Sequence, residues 1–505
     1  MPKLSNLARD TAIYGLSSIV GRFLNYLLVP LYTQKMTAAS GDYGIVTNAY
    51  AYTALLLALL TYGMETTLFR FCSKSELDER RVYSTILTTV ATTSLLFVAL
   101  VVANIGWIAP KMGLAYADHP SYIITMAIVV ALDAFQAISF TWLRHKKRPL
   151  KFACLKLLFI GLNIGLNLLY FVAFPAIEAR HPGALRWVYD PSVGVGYVFY
   201  LNLVCTVAVQ LCLWREVTAV PWRWDRQLLR QMFRYSWPIL VLSVTGVINQ
   251  SASQIIFPWI YPGTSTETAA QLGIYGAAIK IAMIMALITQ AFRYAYEPFI
   301  FGQSKEKSAD SKDTQAQATK YFLIFTLIAY LAVIAGIDVL KHIIGSDYWE
   351  GLRVVPVVMA AEIMMGVYFN FSFWAKLTDR TLWNAVFSII GCAMLVLVNV
   401  LFVPRVGYMA CAWAGVAAYG SAMTLSYLVG QRYYPINYPI GQMLFYVVLT
   451  AVLSAAAMFT PIANVALLTA YRVALLMVLV AVVVRREHLG GMLRRLPVVG
   501  RWLRK

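Results

Sequence analysis

Residues 119–151 read HPSYIITMAIVVALDAFQAISFTWLRHKKRPLK, an apolar run of about 25 residues that ends in a short basic segment. A helix of roughly 20 apolar residues spans the ~30 Å hydrocarbon core of a bilayer. The basic segment, which includes Arg144, Lys146 and Lys147, is typical of a cytoplasmic loop because positive residues concentrate on that side. The stretch therefore predicts a transmembrane helix that ends at the cytoplasmic face.

The same pattern recurs along the 505 residues, of which 60% are hydrophobic and 13% are charged. Soluble domains average about 45–50% apolar and about 25% charged residues. The sequence therefore predicts an all-α, polytopic membrane protein with about fourteen transmembrane helices. The predicted spans are 8–33, 43–63, 82–107, 119–143, 152–175, 193–214, 235–260, 270–298, 318–340, 353–376, 382–403, 408–431, 440–460 and 462–484.

The basic residues support this layout independently. Of the 42 lysines and arginines, 31 fall on the side of the N-terminus and seven on the opposite side, alternating loop by loop. Under the positive-inside rule both termini are then cytoplasmic. The net charge of +19 is explained by these loops, so nucleic acid is not expected as a partner.

A basic segment, 215–234, divides the chain into two halves of six spans each, followed by a final pair. Since six is even, the halves share one orientation and predict a parallel repeat with a substrate site between them. The predicted domains are an N-terminal lobe (1–214), a basic interfacial linker (215–234), a C-terminal lobe (235–432), an additional helix pair (433–484) and a basic cytoplasmic tail (485–505).

The linker has its own predicted role. Residues 222–235 interleave arginines with aromatic and aliphatic residues, as expected for a helix that lies on the inner leaflet with its arginines toward anionic headgroups. Gating or partner binding is the alternative.

A charged residue within a span costs about 2.5–3.5 kcal/mol at the bilayer centre, so each such residue needs a functional or structural explanation. Arg22 and Lys280 lie in corresponding early helices of the two halves. One interpretation is that both face a water-filled cavity and hold a diphosphate, since arginine and lysine bind phosphate well. The other is that they form buried bridges with Asp133 or Glu362. These two acids are in turn candidates for proton or sodium coupling.

Other charges also leave two interpretations open. Arg472, in the last span, faces a groove for a lipid tail or forms a structural pair. Lys156 lies about one turn from the cytoplasmic edge and is expected to snorkel toward it. The cytoplasmic ends of the second and eighth spans carry four charged residues, Glu65, Arg70, Arg293 and Glu297. These residues either pair with one another at the interface, or form a cytoplasmic gate or entry point for anionic headgroups.

Several local stretches resemble one transporter family. They are residues 21–32 in the first span, 41–44 and 61–71 in the second, and 275–281 with 297–299 in the eighth. With the span layout, they resemble the polysaccharide-transporter branch of the multidrug/oligosaccharidyl-lipid/polysaccharide (MOP) exporter superfamily. This branch includes the O-antigen repeat-unit flippases, which are similar to the lipid II flippases.

The resemblance implies two six-helix lobes around a positively charged cavity, with Arg22, Arg70 and Lys280 at cavity positions. It implies alternating access, in which a lipid-linked oligosaccharide crosses from the cytoplasmic to the periplasmic leaflet while its polyprenyl tail stays in lipid. The expected partners are this substrate, membrane lipids, a coupling proton or sodium ion, and proteins of lipopolysaccharide or other polysaccharide assembly.

Two other functions compete. A drug/cation antiporter of the same superfamily would need an acidic, apolar cavity, whereas Arg22 and Lys280 favour an anionic substrate. A membrane glycan polymerase or ligase would need catalytic residues, and the longest external loop, 176–192, contains no recognisable acid/base pair. The six cysteines lack metal-binding spacing. We therefore expect a transporter without enzymatic activity, cofactor or metal.

Overall fold

A computed structural model describes residues 26–73, 77–303, 309–462 and 464–488. This part of the chain forms helices and no β-strand, which confirms the predicted all-α class. The helices are α1 Leu28–Lys35, α2 Asp42–Thr61, α3 Met64–Cys72, α4 Glu79–Ala103, α5 Ile105–Met112, α6 Pro120–His145, α7 Pro149–Leu168, α8 Phe174–Arg180, α9 Gly196–Cys212, α10 Trp214–Thr218, α11 Arg226–Ile260, α12 Ser265–Gln303, α13 Ala309–Ala335, α14 Ile337–Leu340, α15 Val355–Leu377, α16 Leu382–Val406, α17 Met409–Tyr433, α18 Ile440–Phe459 and α19 Val465–Arg486. A π-helical turn, Leu169–Ala173, joins α7 to α8, and short 3₁₀ turns lie at Pro191–Val193, Lys341–Ile343 and Ser346–Val354.

Eleven helical stretches in the described residues are long and apolar enough to cross a membrane. Two further helices, α9 and α17, coincide with the predicted spans 193–214 and 408–431. Most of the first predicted span, 8–33, lies outside the described residues. The remaining thirteen predicted spans each contain one principal helix, so the protein crosses the membrane many times.

The helices pack as two compact units, residues 1–277 with 395–411, and residues 278–394 with 412–505. The unit boundaries fall inside α12, α16 and α17, and the predicted division into lobes, linker, helix pair and tail stays a prediction. In the first unit α6 is central and packs against α2, α4 and α9. Tyr83 and Trp142 stack there with ring centroids 4.4 Å apart and are both buried.

Glycines allow a close helix contact in the first unit. A Cβ on Gly44 of α2 would lie 1.8 Å from the carbonyl oxygen of Ala269 in α12. A Cβ on Gly276 would lie 2.2 Å from the hydroxyl of Thr47. The two backbones therefore cross at a distance that only glycine permits, as small residues allow in membrane helices. This explains why glycine occurs at the corresponding starts of the second and eighth spans.

In the second unit α13 packs against α15, α18 and α19. At the end of α13 that the sequence places in the cytoplasm, Lys320 forms an ion pair of 2.6 Å with Glu487, just beyond α19. Both side chains are only 7% exposed. The final helix pair is thus attached to the unit by a buried salt bridge as well as by apolar packing.

The second half of the predicted linker, 215–234, differs from the prediction. Residues 226–234 do not form a separate helix; they are the first turns of α11, which continues without interruption to Ile260. Proline at 238 is compatible with this continuity because transmembrane helices tolerate proline more readily than soluble ones. The basic residues therefore extend the seventh span along its own axis.

Candidate functional site

A polar cavity of about 340 Å³ lies within the first unit, between α2, α3, α6, α7 and α9. Both acidic and basic side chains from these apolar helices line the cavity. Water or a polar ligand is the natural occupant, since burying such groups in a dry core is costly. The cavity is lined by Leu57, Glu65, Asp133, Gln136, Ala137, Phe140, Thr141, Arg144, Phe152, Lys156, Phe159 and Val209.

Asp133 and Lys156 bring opposite charges to the inner part of this polar cavity. Lys156 Nζ lies 4.1 Å from the centroid of the Phe140 ring, and Asp133 lines the same cavity. The face of this ring attracts the ammonium toward α6. Lys156 is exposed, and its predicted snorkelling to the membrane edge stays a prediction.

Glu65 reaches the same polar cavity because the second span is broken. Tyr62 (φ 32°) and Gly63 (φ 74°) are both left-handed and separate α2 from α3. Glu65 then accepts a hydrogen bond from the Thr141 hydroxyl at 3.3 Å and lies 3.8 Å from Arg144. The break therefore brings Glu65, at the start of α3, to the wall of the cavity.

The cations predicted to hold a diphosphate are placed unequally. Arg22 lies outside the described residues. Arg70 is exposed at the end of α3, with its guanidinium carbon 4.4 Å from the centroid of the Tyr235 ring. Lys280 is half-buried in α12 and forms no ion pair with Glu362 in the described structure. The bridge between Lys280 and Glu362, which the sequence left open, is therefore not formed.

Glu362 is half-buried in α15, and its Oε2 atom is buried without a hydrogen-bond partner in the described structure. Tyr419 of α17 is close enough to interact with it electrostatically. An unpartnered carboxylate oxygen at this depth is the kind of group that binds a proton or a cation. Coupling through Asp133 or Glu362 stays a prediction.

The second pair of predicted gate residues lies on α12. The guanidinium carbon of Arg293 lies 4.7 Å from the centroid of the Phe369 ring. The side chain of Glu297 lies outside the described part of the structure. A gating role for Glu65, Arg293 and Glu297 stays a prediction.

Arg472 forms a structural pair, one of the two alternatives that the sequence left open. It is buried, donates at 2.6 Å to Asp338 and donates at 3.0 Å to the carbonyl of Ala457. Lys341 binds the other Asp338 oxygen at 3.0 Å. A separate apolar cavity of about 360 Å³ lies between α13, α15, α17 and α18, and Arg472 does not line it.

Sequence reasoning missed the grouping of Lys156, Arg144, Gln136 and Thr141 with Asp133. One signal was available: α6 and α7 form a hairpin around residues 146–148, so opposite charges at similar depths on its two arms can meet. The phenylalanines that line the polar cavity had no such signal, because apolar residues are common on every face of a membrane helix.

The family model described as "Polysaccharide biosynthesis protein" matches residues 7–300. No curated protein sequence matches the chain. Among solved structures, the lipid II flippase MurJ in an inward closed conformation has a TM-score of 0.70 and 11% identity, covering 94% of this chain and 99% of that one.

An inward-facing multidrug resistance MATE family transporter of the MOP superfamily has a TM-score of 0.60 and 14% identity. The alignment covers 81% of this chain and 93% of the transporter. At such identities the two likenesses establish the fold. They agree with the fold that the sequence resemblance predicts.

Proposed function

Since the chain belongs to the polysaccharide biosynthesis protein family, in the polysaccharide-transporter branch of the MOP superfamily, we propose that it is a flippase for a lipid-linked oligosaccharide. The substrate would be a polyprenyl-diphosphate-linked oligosaccharide, of the O-antigen repeat-unit type. It would move from the cytoplasmic to the periplasmic leaflet of a bacterial inner membrane by alternating access, for cell-surface polysaccharide synthesis.

The polar cavity is the observation that carries this proposal. A lipid-linked sugar needs a hydrated, hydrogen-bonding path for its headgroup inside a protein that otherwise presents apolar surface to lipid. Gln136, Thr141, Asp133 and Glu65 supply donors and acceptors for hydroxyl groups, and Lys156 supplies a positive charge for phosphate. The lining thus suits a polar, partly anionic headgroup better than an apolar drug.

Binding of the diphosphate itself is assigned to Arg22, Lys280 and Arg70. Lys280 supports the assignment because it is half-buried and has no ion-pair partner among the described residues. A cation held at such depth is stabilised when an anionic ligand arrives. Asp133 and Glu362 are the proposed proton or sodium sites, whose occupancy would drive the return of the empty carrier.

A cation antiporter remains the second candidate, favoured by the two carboxylates of the polar cavity. Glu65 and Asp133 would attract a cationic substrate if their partners Arg144 and Lys156 moved away. The two candidates differ in whether transport depends on the lysine side chains of the protein. A flippase needs Lys156 and Lys280, whereas a cation antiporter would tolerate, or gain from, their neutralisation.

The test is complementation of a strain that lacks its own repeat-unit flippase, with surface polysaccharide as the measurement. We expect the parent chain to restore the polysaccharide, and Arg22→Ala, Lys280→Ala and Lys156→Ala to fail at equal expression. Lys35→Ala is the matched control, because Lys35 is exposed at the end of α1. It should complement like the parent.

The outcomes separate the parts of the proposal. If the well-expressed parent chain failed to restore surface polysaccharide in strains that make several different repeat units, the flippase proposal would be wrong. Full complementation by both Arg22→Ala and Lys280→Ala would show that the diphosphate assignment is wrong. Resistance to cationic drugs that rises with parent expression and persists in Lys156→Ala and Lys280→Ala would favour the antiporter.

A further inference from the structure

Four arginines form a row beside the start of α11. Arg226, Arg230 and Arg234 recur every four residues and so share one face of the helix, and Arg223 precedes them. All four are exposed. In the described part of the chain none of them has a carboxylate within 4 Å. We call these four residues the arginine stripe.

The opposite side of this helix is fixed to the first unit. Leu228 and Met232 are buried in its core, at 4% and 0% exposure. Asp225 caps the helix by accepting hydrogen bonds of 3.0 Å from the backbone of Gln227 and Leu228, and forms an ion pair with Arg81. The arginine stripe is therefore held in one direction, away from the unit's core, rather than left on a flexible loop.

The depth of each arginine follows from the continuity of α11. The apolar part begins at Trp237, which is 65% exposed. At about 1.5 Å per residue, residues 237–260 cover roughly 36 Å, enough for the hydrocarbon core. Arg234 then lies about 4–5 Å beyond the core, Arg230 about 10 Å and Arg226 about 16 Å. The headgroup layer is about 5–8 Å thick on each side.

Arg234 consequently lies within the headgroup layer, and the long side chain of Arg230 reaches it by snorkelling. Arg226 and Arg223 lie beyond it. Trp237, on the same face and also exposed, provides the aromatic contact that is typical of a membrane interface, whereas Phe233 stacks on Tyr62 with ring centroids 5.5 Å apart. Cations at headgroup depth, a tryptophan below them and no acidic partner in the described part of the chain together form a surface complementary to phosphate headgroups.

We propose that Arg230 and Arg234 bind the headgroups of anionic phospholipids in the cytoplasmic leaflet, with Trp237 against the acyl chains. The site lies on the predicted cytoplasmic side and is independent of the transported substrate. Its function would be to hold α11, and with it the start of the seventh span, at a fixed depth in anionic membranes.

The experiment is native mass spectrometry of the detergent-solubilised full chain, titrated with phosphatidylglycerol or phosphatidylcholine. We expect the parent to prefer phosphatidylglycerol. In Arg230→Gln/Arg234→Gln the preference should fall roughly 30-fold, since each arginine at the surface contributes roughly fivefold. The matched control is Arg223→Gln/Arg226→Gln, which removes the same charge outside the headgroup layer and should keep most of the preference.

Three results would overturn the proposal. If both double variants lost the preference equally, the attraction would come from the overall charge and not from a site at headgroup depth. If neither lost it, the stripe would not bind lipid. If inorganic pyrophosphate displaced phosphatidylglycerol from the parent at equal concentration, the arginines would form a site for soluble diphosphates. Arg230→Lys/Arg234→Lys, which keeps both charges, should retain most of the preference and shows that the segment tolerates substitution.

Discussion

The buried ion pair between Lys320 and Glu487 provides the most direct test of how the final helix pair is attached. Lys320 Nζ lies 2.6 Å from Glu487 Oε2 and 3.4 Å from Gln442 Oε1. Tyr446 donates to the other Glu487 oxygen at 2.8 Å. Both carboxylate oxygens are therefore satisfied, and burial, which alone would raise the pKa of Glu487, is outweighed by the bonds from Lys320 and Tyr446, which lower it.

Glu487→Gln leaves the Lys320 ammonium buried with neutral acceptors only. Removing one partner of a buried pair costs about 3–5 kcal/mol. Because Glu487 lies just beyond the end of α19, water and headgroups are near, and we expect the lower end of this range, about 3 kcal/mol. Lys320→Met should cost a similar amount, since it leaves the buried carboxylate with neutral hydroxyl donors, from Tyr446 and Tyr321, in place of a cation.

The double variant Lys320→Met/Glu487→Met distinguishes an ion pair from two independent sites. With both charges removed, no uncompensated group is left, so the double variant should be no less stable than either single variant. The coupling energy is then about 3 kcal/mol, measured as the change in unfolding free energy in a detergent titration. Additive effects of the two substitutions, or single effects below about 0.5 kcal/mol, would refute the argument.

Two further predictions concern the first unit. Gly44→Ala should lower the free energy of unfolding by about 2 kcal/mol or more, and with it the melting temperature and expression, because the new Cβ would overlap the Ala269 backbone. The matched control is Gly161→Ala, whose Cβ has nothing within 4 Å and which should be neutral or stabilising. Asp225→Ala should cost about 1 kcal/mol through loss of the helix cap. Backbone N–H groups of Leu228 and Gln227, with Arg81, lower the pKa of Asp225, so its contribution is present above about pH 4 and is lost as the pH falls further. Circular dichroism melts of parent and Asp225→Ala should therefore converge at acid pH, and an unchanged difference there would contradict the assignment.

The layout of the spans follows from the sequence because hydrophobicity and loop charge both act over about twenty residues. Residues 119–143 illustrate this, since α6 runs from Pro120 to His145. The same averaging hides local events. The break at Tyr62 and Gly63 lies at the end of the predicted span 43–63, where a simple loop would be expected, and left-handed backbone at a tyrosine has no sequence signature.

The candidate site depends on side-chain directions that span prediction does not supply. Asp133 stands out in the sequence because a mid-span acid is costly. Lys156, which lines the same cavity, does not stand out in the sequence, because a lysine near a span end is normally explained by snorkelling. Likewise, the sequence predicts that the linker arginines lie on an amphipathic surface helix, whereas in the structure α11 begins at Arg226 and continues through Arg230 and Arg234.

The partners of the intramembrane charges now divide them into two groups. Arg472 and Asp338 form an ion pair of 2.6 Å, so each compensates the other's charge in the resting protein. Lys280 and the Oε2 atom of Glu362 have no such partner among the described residues. A group that is already paired must first break that pair to bind a ligand, whereas an unpaired group gains by binding one. Substitution of the paired residues should therefore lower stability along with transport, while Lys280→Ala and Glu362→Gln should leave stability intact and impair transport alone. If the unfolding free energy fell as far in Lys280→Ala as in Arg472→Ala, Lys280 would be a packing residue and the diphosphate would have to be held elsewhere.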